Sequence, residues 1–343
     1  MCKQVEQKMK KLETFINIEK KDQFIRDIAH SFKKSRILFT SLELSLFTVV
    51  GNEARTLRSI AEESNCNERA LEKILNALVN MGFLSFKNGF YSNTPESLIF
   101  LSKESPNYLG DLMHIAALWE NWSNLTEIVR QGKPTKYQSL SEKSDEWLEA
   151  FILASFRESK NYANIITRQI PAQNPMKILD LGAGSGVFSI ELAKLYPKAQ
   201  IYSFELPRVA ELTQKFIDRS GLNERIHTIS GDFTKDDIGH DYDLVLISDV
   251  LSEYSFRTVM ETLTKVYDAM KFRGVLAIFD YFFDENRTSP SEVVTHSINM
   301  LINTLEGEVL NNTDIWFAMR EAWFSDIYKI ETNFGKSLVI GFK

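Results

Sequence analysis

Residues 176–197 constrain this chain more than any other stretch. An apolar run, Met176-Lys177-Ile178-Leu179-Asp180-Leu181, leads into Gly182-Ala183-Gly184-Ser185-Gly186 and then into an amphipathic segment ending at Pro197. Strand, tight glycine turn and helix in that order form the first unit of a nucleotide-binding α/β domain. The glycines take positive φ without a Cβ penalty and let the backbone approach a ligand closely. A second strand, 199–204, ends in Glu205, 25 residues after Asp180. A third, 225–229, ends in Gly231-Asp232-Phe233. A carboxylate at the end of the second strand can accept both hydroxyls of a ribose, and an acid followed by an apolar ring suits an adenine edge.

A dinucleotide fingerprint spaces its glycines as G-x-G-x-x-G. Here the third glycine comes one place early, at Gly186, and Val187 fills the dinucleotide slot. Each acid alone reads as a solvated strand end or a helix cap; three in register read as one site. In this order Asp180, Glu205 and Asp232 resemble the acids of the class I S-adenosylmethionine-dependent methyltransferases. The resemblance implies Asp180 near the methionine amino group, Glu205 on the ribose and Asp232 on the adenine amino group. Gly182, Gly184, Gly186, Leu206, Phe233 and Ser248 complete the implied cofactor contacts, with S-adenosylhomocysteine as product.

With 343 residues the chain has room for two domains and a sizeable core. A net charge of −6 argues against nucleic acid as main partner, since phosphate binding needs a basic face. The basic excess sits in residues 1–36, with ten Lys or Arg against five Asp or Glu. It reads as a solvated helical arm, with a basic amphipathic helix at a membrane surface as the alternative. Cys2 and Cys66 are too few for a disulfide framework or a metal cluster. They suit a reducing compartment. With no apolar run of membrane-spanning length and no signal-peptide core, a cytoplasmic location is expected.

Residues 1–134 read as a helical domain carrying a winged helix. A helix over 56–64, a turn at Asn65-Cys66-Asn67 and a helix over 68–81 with Leu71, Ile74, Leu75 and Leu78 on one face come first. Two β-prone runs then flank Lys87-Asn88-Gly89, and Asn-Gly between β-formers is the strongest short hairpin signal. The second helix offers Arg69 and Lys73 but also Glu68 and Glu72, so packing and dimerisation suit it better than DNA. One helix is expected over 108–130, with the domain boundary at Gln131-Gly132-Lys133-Pro134, and a connecting helix over 146–169. The second domain is expected over 135–343, and beyond Met176 strands and helices alternate, implying a doubly wound, Rossmann-like α/β sheet with helices on both faces. Strands are expected at 243–247 and 275–280, and the pair 327–333 and 337–342 closes as an edge hairpin.

Together with Leu118-Trp119-Glu120-Asn121-Trp122, Glu205-Leu206-Pro207 and Gly231-Asp232-Phe233, this arrangement resembles the small-molecule O-methyltransferases of the caffeate and hydroxyindole type. The resemblance runs from about Phe32 onward. It implies a homodimer formed through the N-terminal domains and an apolar acceptor pocket between the domains. Members of that family carry a His-Asp-Trp triplet after the fourth strand, the histidine being the general base. Here the matching run is Ser248-Asp249-Val250-Leu251-Ser252-Glu253-Tyr254, which puts Ser252 at the base, Glu253 at the Asp and Tyr254 at the Trp. A later family glutamate falls on Val309, with Glu306 and Glu308 nearby.

Serine cannot replace histidine as a base near neutral pH. Methyl transfer asks little of the protein beyond holding an acceptor in line, so a non-histidine base or none is expected. Glu253 and His296 are the candidate bases, with Tyr254 orienting the acceptor. The blander readings are a helix-cap charge for Glu253 and simple packing for His296; the two together fall short of a metal site, and none is expected. Trp119, Trp122, Phe151, Phe156 and Met300 are the candidate acceptor-pocket residues, with core packing as their alternative. The expected function is methyl transfer to the oxygen or carbon of a small, aromatic or apolar molecule. The alternatives are an enzyme that binds S-adenosylmethionine without transferring its methyl, and a winged-helix ligand sensor.

Overall fold

In the computed structural model, which describes residues 18–343, the chain divides into two compact units, one up to Ala116 and the other Ala117–Lys343. Residues 1–17 of the basic arm lie outside the described residues. The first unit contains α1 (Ile18–Glu43), α2 (Leu46–Val50), β1 (Arg55–Thr56), α3 (Leu57–Glu63), α4 (Glu68–Asn80), β2 (Leu84–Lys87), β3 (Phe90–Asn93) and α5 (Pro95–Phe100). Thr56 and Asn67 cap α3 and α4, each accepting a backbone N–H with its side chain. Leu71, Leu75 and Leu78 bury one face of α4. Asn88 and Gly89 both take positive φ, as the tight turn between β2 and β3 requires. The two-residue β1, which pairs with β3 and completes the wing as a three-stranded sheet, has no sequence signal of its own.

The expected helix over 108–130 is instead three: α6 (Leu112–Ala117), α7 (Trp119–Ser123) and α8 (Leu125–Gln131). Ser123 Oγ donates to the Trp119 carbonyl and Asn124 Nδ2 to the Glu120 carbonyl, both at 2.8 Å. Side chains that bond nearby backbone in this way compete with helix propagation. Gly132 to Pro134 follow α8 inside the second unit. The connecting helix also breaks, into α9 (Asp145–Lys160) and α10 (Ala163–Thr167).

The remaining elements are β4 (Lys177–Leu181), α11 (Val187–Leu195), β5 (Gln200–Glu205), α12 (Pro207–Ser220), β6 (Ile226–Ser230), β7 (Tyr242–Ser248), α13 (Phe256–Ala269), β8 (Met270–Asp280), α14 (Ser291–Asn303), α15 (Asn312–Glu321), β9 (Ser325–Glu331) and β10 (Ser337–Phe342). They build a seven-stranded sheet in the order β6-β5-β4-β7-β8-β10-β9. Five strands are parallel, and β10 and β9 close the sheet antiparallel. Alternate residues of one strand serve opposite faces. Ile178 packs with Phe188, Leu192 and Ile217, while Leu179 packs with Val259, Leu263 and Ile315. Both faces are thus covered by helices, as a doubly wound sheet demands. The order reverses at β4, so the β4–α11 and β7–α13 turns diverge there and open a crevice at the carboxyl edge of the strands. Among the described residues no helix is long and apolar enough to cross a membrane.

Candidate functional site

A cleft opens at that edge, walled by residues 182–185 and 187–188, Glu205 and Leu206, Phe233, residues 248–250, Glu253 and Tyr254, and Phe151, Ile152, Ser155 and Ser159 of α9. Gly182 has φ 75°, and a Cβ there would lie 2.4 Å from Val250 Cγ2, so only glycine fits. The Gly184 N–H donates to Glu205 Oε2 at 2.8 Å and the Leu206 N–H to Oε1 at 2.7 Å. This carboxylate is therefore aimed across the glycine turn with lone pairs to spare. Burial pushes its pKa up, against the pull of both N–H groups. Ser185 Oγ, on the same wall, is buried without a hydrogen-bond partner, and a polar ligand group would satisfy it.

The resemblance puts Asp180 at the methionine amino group; the side chain has its Oδ1 buried without a hydrogen-bond partner. It is wholly buried and is not part of the cleft wall. Ser189 Oγ donates to its Oδ2 at 2.6 Å and, having one proton, accepts in turn from Ser203 at 2.6 Å. Burial pushes the Asp180 carboxyl up to about 7. Asp232 accepts from Thr234 and pairs with Lys235 at 2.7 Å, and its charge acts on Tyr254 of the cleft, which Phe233 and Ser248 also line. Gly186 caps α11 in the left-handed conformation and leaves the wall to its neighbours.

A 3-10 turn, Leu251–Glu253, carries the chemical candidates. Its backbone is held from below by Asp280, whose Oδ2 accepts from the N–H of Leu251 at 2.9 Å and of Ser252 at 3.3 Å. Burial, then the nearby Asp249, push the Asp280 carboxyl up to about 6. Ser252 Oγ lies 3.2 Å from His296 Nε2, and the His296 ring stacks on Tyr281 at 3.9 Å. Burial, then the Lys336 charge, lower His296 to about 4, so its ring is neutral at pH 7. Glu253 is solvent-exposed where it lines the cleft, with protein crowded around its carboxyl. That crowding, followed by the charges of Glu205, Asp280 and Asp249, pushes it up to about 7. Tyr254 also lines the cleft and meets Phe233 edge-on at 5.2 Å; burial and then Glu253 raise its phenol well above the ordinary value.

Of the expected acceptor-pocket residues only Phe151 lines this cleft. Phe156 stacks on Phe216 at 4.7 Å. Trp122 donates to Asn299 at 3.3 Å, and Asn121 beside it bonds Asn303, so α7 docks on α14. Trp119 opens α7, half-buried and off the cleft wall. Met300 is packed with Phe283, Val293 and Val309. Val309 is thus a core residue, Glu308 pairs with Arg287, and Glu306 is exposed.

Residues 122–325 match the O-methyltransferase domain family, and residues 26–103 match the O-methyltransferase dimerisation domain. The chain belongs to this family. It is 26% identical over 287 residues to 3-hydroxy-5-methyl-1-naphthoate 3-O-methyltransferase of Streptomyces sahachiroi, covering 82% of this chain and 83% of that one. It is 27% identical over 303 residues to acetylserotonin O-methyltransferase of Gallus gallus, covering 82% and 86%. Among solved structures, PigF with SAH superposes with a TM-score of 0.87 at 23% identity, over 94% of this chain and 99% of that one. That last likeness supports the class I fold, with its helical N-terminal dimerisation domain. The chain is an enzyme of the methyltransferase class.

Proposed function

We propose that this protein transfers a methyl group from S-adenosylmethionine to a hydroxyl of a small aromatic molecule, with Glu253 as the proton acceptor. The observation that carries the reading is one cleft holding both Glu205, fixed across the glycine turn, and Glu253, raised to about 7. When bound, S-adenosylmethionine supplies an electrophilic methyl on a sulfonium. Glu205 would hold its ribose with Leu206 beside it, Phe233 would cover the adenine, and Ser185 and Ser248 would take polar groups of the same ligand. Asp180 and Asp232 act one step back, Asp180 through Ser189 beneath the turn and Asp232 by shaping the 232–236 loop. Phe151, Ile152 and Val250 exclude water from the cleft.

Glu253 takes the acceptor's hydroxyl proton at its carboxylate. A base near pKa 7 is matched to neutral pH, whereas an imidazole near 4 is a weak one. His296 therefore serves as a hydrogen-bond partner of Ser252, and Tyr254, kept protonated, donates to and orients the acceptor. Trp119, Trp122 and Met300 shape the acceptor end from the α7–α14 side. We further propose that the enzyme is a cytoplasmic homodimer that uses no nucleic acid.

The test is transfer of labelled methyl from S-adenosylmethionine into a small-molecule extract of the source cells. Label in a new product that is missing with Glu205→Ala supports the reading. Tight cofactor binding with no label moved supports the non-methylating alternative, which the serine at position 252 keeps open.

A further inference from the structure

The last turn of the sheet delivers a lysine into the protein interior. Lys336 precedes β10, and its side chain is 2% exposed. Its Nζ donates to Glu158 Oε1 at 2.7 Å, Tyr162 Oη at 2.8 Å and Asp249 Oδ2 at 2.9 Å. The rings of Tyr162 and Tyr281 lie 5.0 and 4.8 Å from the same nitrogen. A buried ammonium persists only when paired and hydrogen-bonded this completely. Its partners are placed where they matter. Glu158 adjoins Ser159 of the cleft wall, and Asp249, at φ 56°, opens the turn bearing Ser252 and Glu253. Tyr281, under the ammonium, is the ring on which His296 stacks.

We propose that Lys336 is a positioning residue for the site, anchoring the Asp249 end of the 249–253 turn to α9 and, across Tyr281, fixing His296 against Ser252. The inference rests on the methyltransferase reading only for its effect on turnover. Lys336 is the positive charge that acts on His296, and Glu158 opposes it; Ser252 and Tyr281 touch the ring uncharged. A nearby ammonium disfavours imidazolium, so removing it should raise the midpoint of His296.

The experiment follows the His296 Cε1 proton resonance against pH in the cofactor-free protein, the signal being the one lost in His296→Gln. In Lys336→Met the midpoint is expected to move up by about one pH unit, with turnover at saturating cofactor down about tenfold. Lys336→Arg should keep the wild-type midpoint. Should Lys336→Met fail to fold, Lys336→Met with Asp249→Asn removes both buried charges and is read the same way. A folded variant with an unmoved His296 midpoint overturns the proposal. Because the titration needs no cofactor, that result stays separate from any failure to transfer methyl.

Discussion

Glu253, within the 251–253 turn, and His296, against it, have opposite shifts, the carboxyl lifted to about 7 and the imidazole lowered to about 4. Turnover should therefore rise with pH through about 7 as Glu253 loses its proton. In Glu253→Gln it should fall by about 10²-fold with cofactor affinity retained. A rate–pH profile measured beside calorimetric binding checks both, and an acid limb surviving in Glu253→Gln assigns it to another group. Asp180 makes a second prediction, on stability. Its pKa rises from 3.8 in the unfolded chain to about 7 in the fold. Its contribution is then fully present below 3.8 and lost as pH climbs to about 7. Melting curves across that window should show a shallower decline for Asp180→Asn than for the wild type. Sequence alone marked Asp180, Glu205 and Glu253 as important, because acids at strand ends are visible in a string of letters. That Asp180 turns inward to Ser189 was not legible, since the serine's direction depends on how α11 packs over β4.

Local chemistry wrote the glycine turn, the Asn88-Gly89 hairpin and the strand run from β4 to β10 into the chain, and these formed close to the reading, although β8 begins at Met270, ahead of the expected 275. Elements decided by side chains that bond backbone, or by distant partners, did not. Asn124 ends what periodicity extends as one helix, and Tyr162, at the break between α9 and α10, is held by a lysine 174 positions away. Asp280 is a similar case: an acid at the end of β8 gives no hint that it caps the 251–253 turn. The β4–α11 turn can be tested as an element. Gly182→Ala puts a methyl 2.4 Å from Val250 Cγ2 at φ 75°, and the left-handed conformation alone costs about 1–2 kcal/mol. Cofactor affinity should drop by about tenfold or more, which equilibrium binding measures. Adding Val250→Ala relieves the clash but not the backbone strain, so recovery should be partial; full recovery would assign the whole loss to sterics.

On the scale of the molecule, two units with separate family matches share one chain, the dimerisation part over 26–103 and the transferase part over 122–325. Light scattering should return about twice the chain mass of 39.5 kDa. A mass equal to one chain at micromolar concentration would refute the homodimer. Because β10 runs antiparallel to β8, with Ser337 opposite Asp280, the turn before it returns to the carboxyl edge where the five parallel strands end. The closing hairpin therefore carries its lysine to the edge that the five parallel strands had already reached. During synthesis the acids of that edge leave the ribosome before the lysine that pairs with them. Ribosome-bound chains lacking the hairpin should leave Asp249 and Glu158 uncompensated, and the cleft should take its final shape only when the last strand pair slides into place.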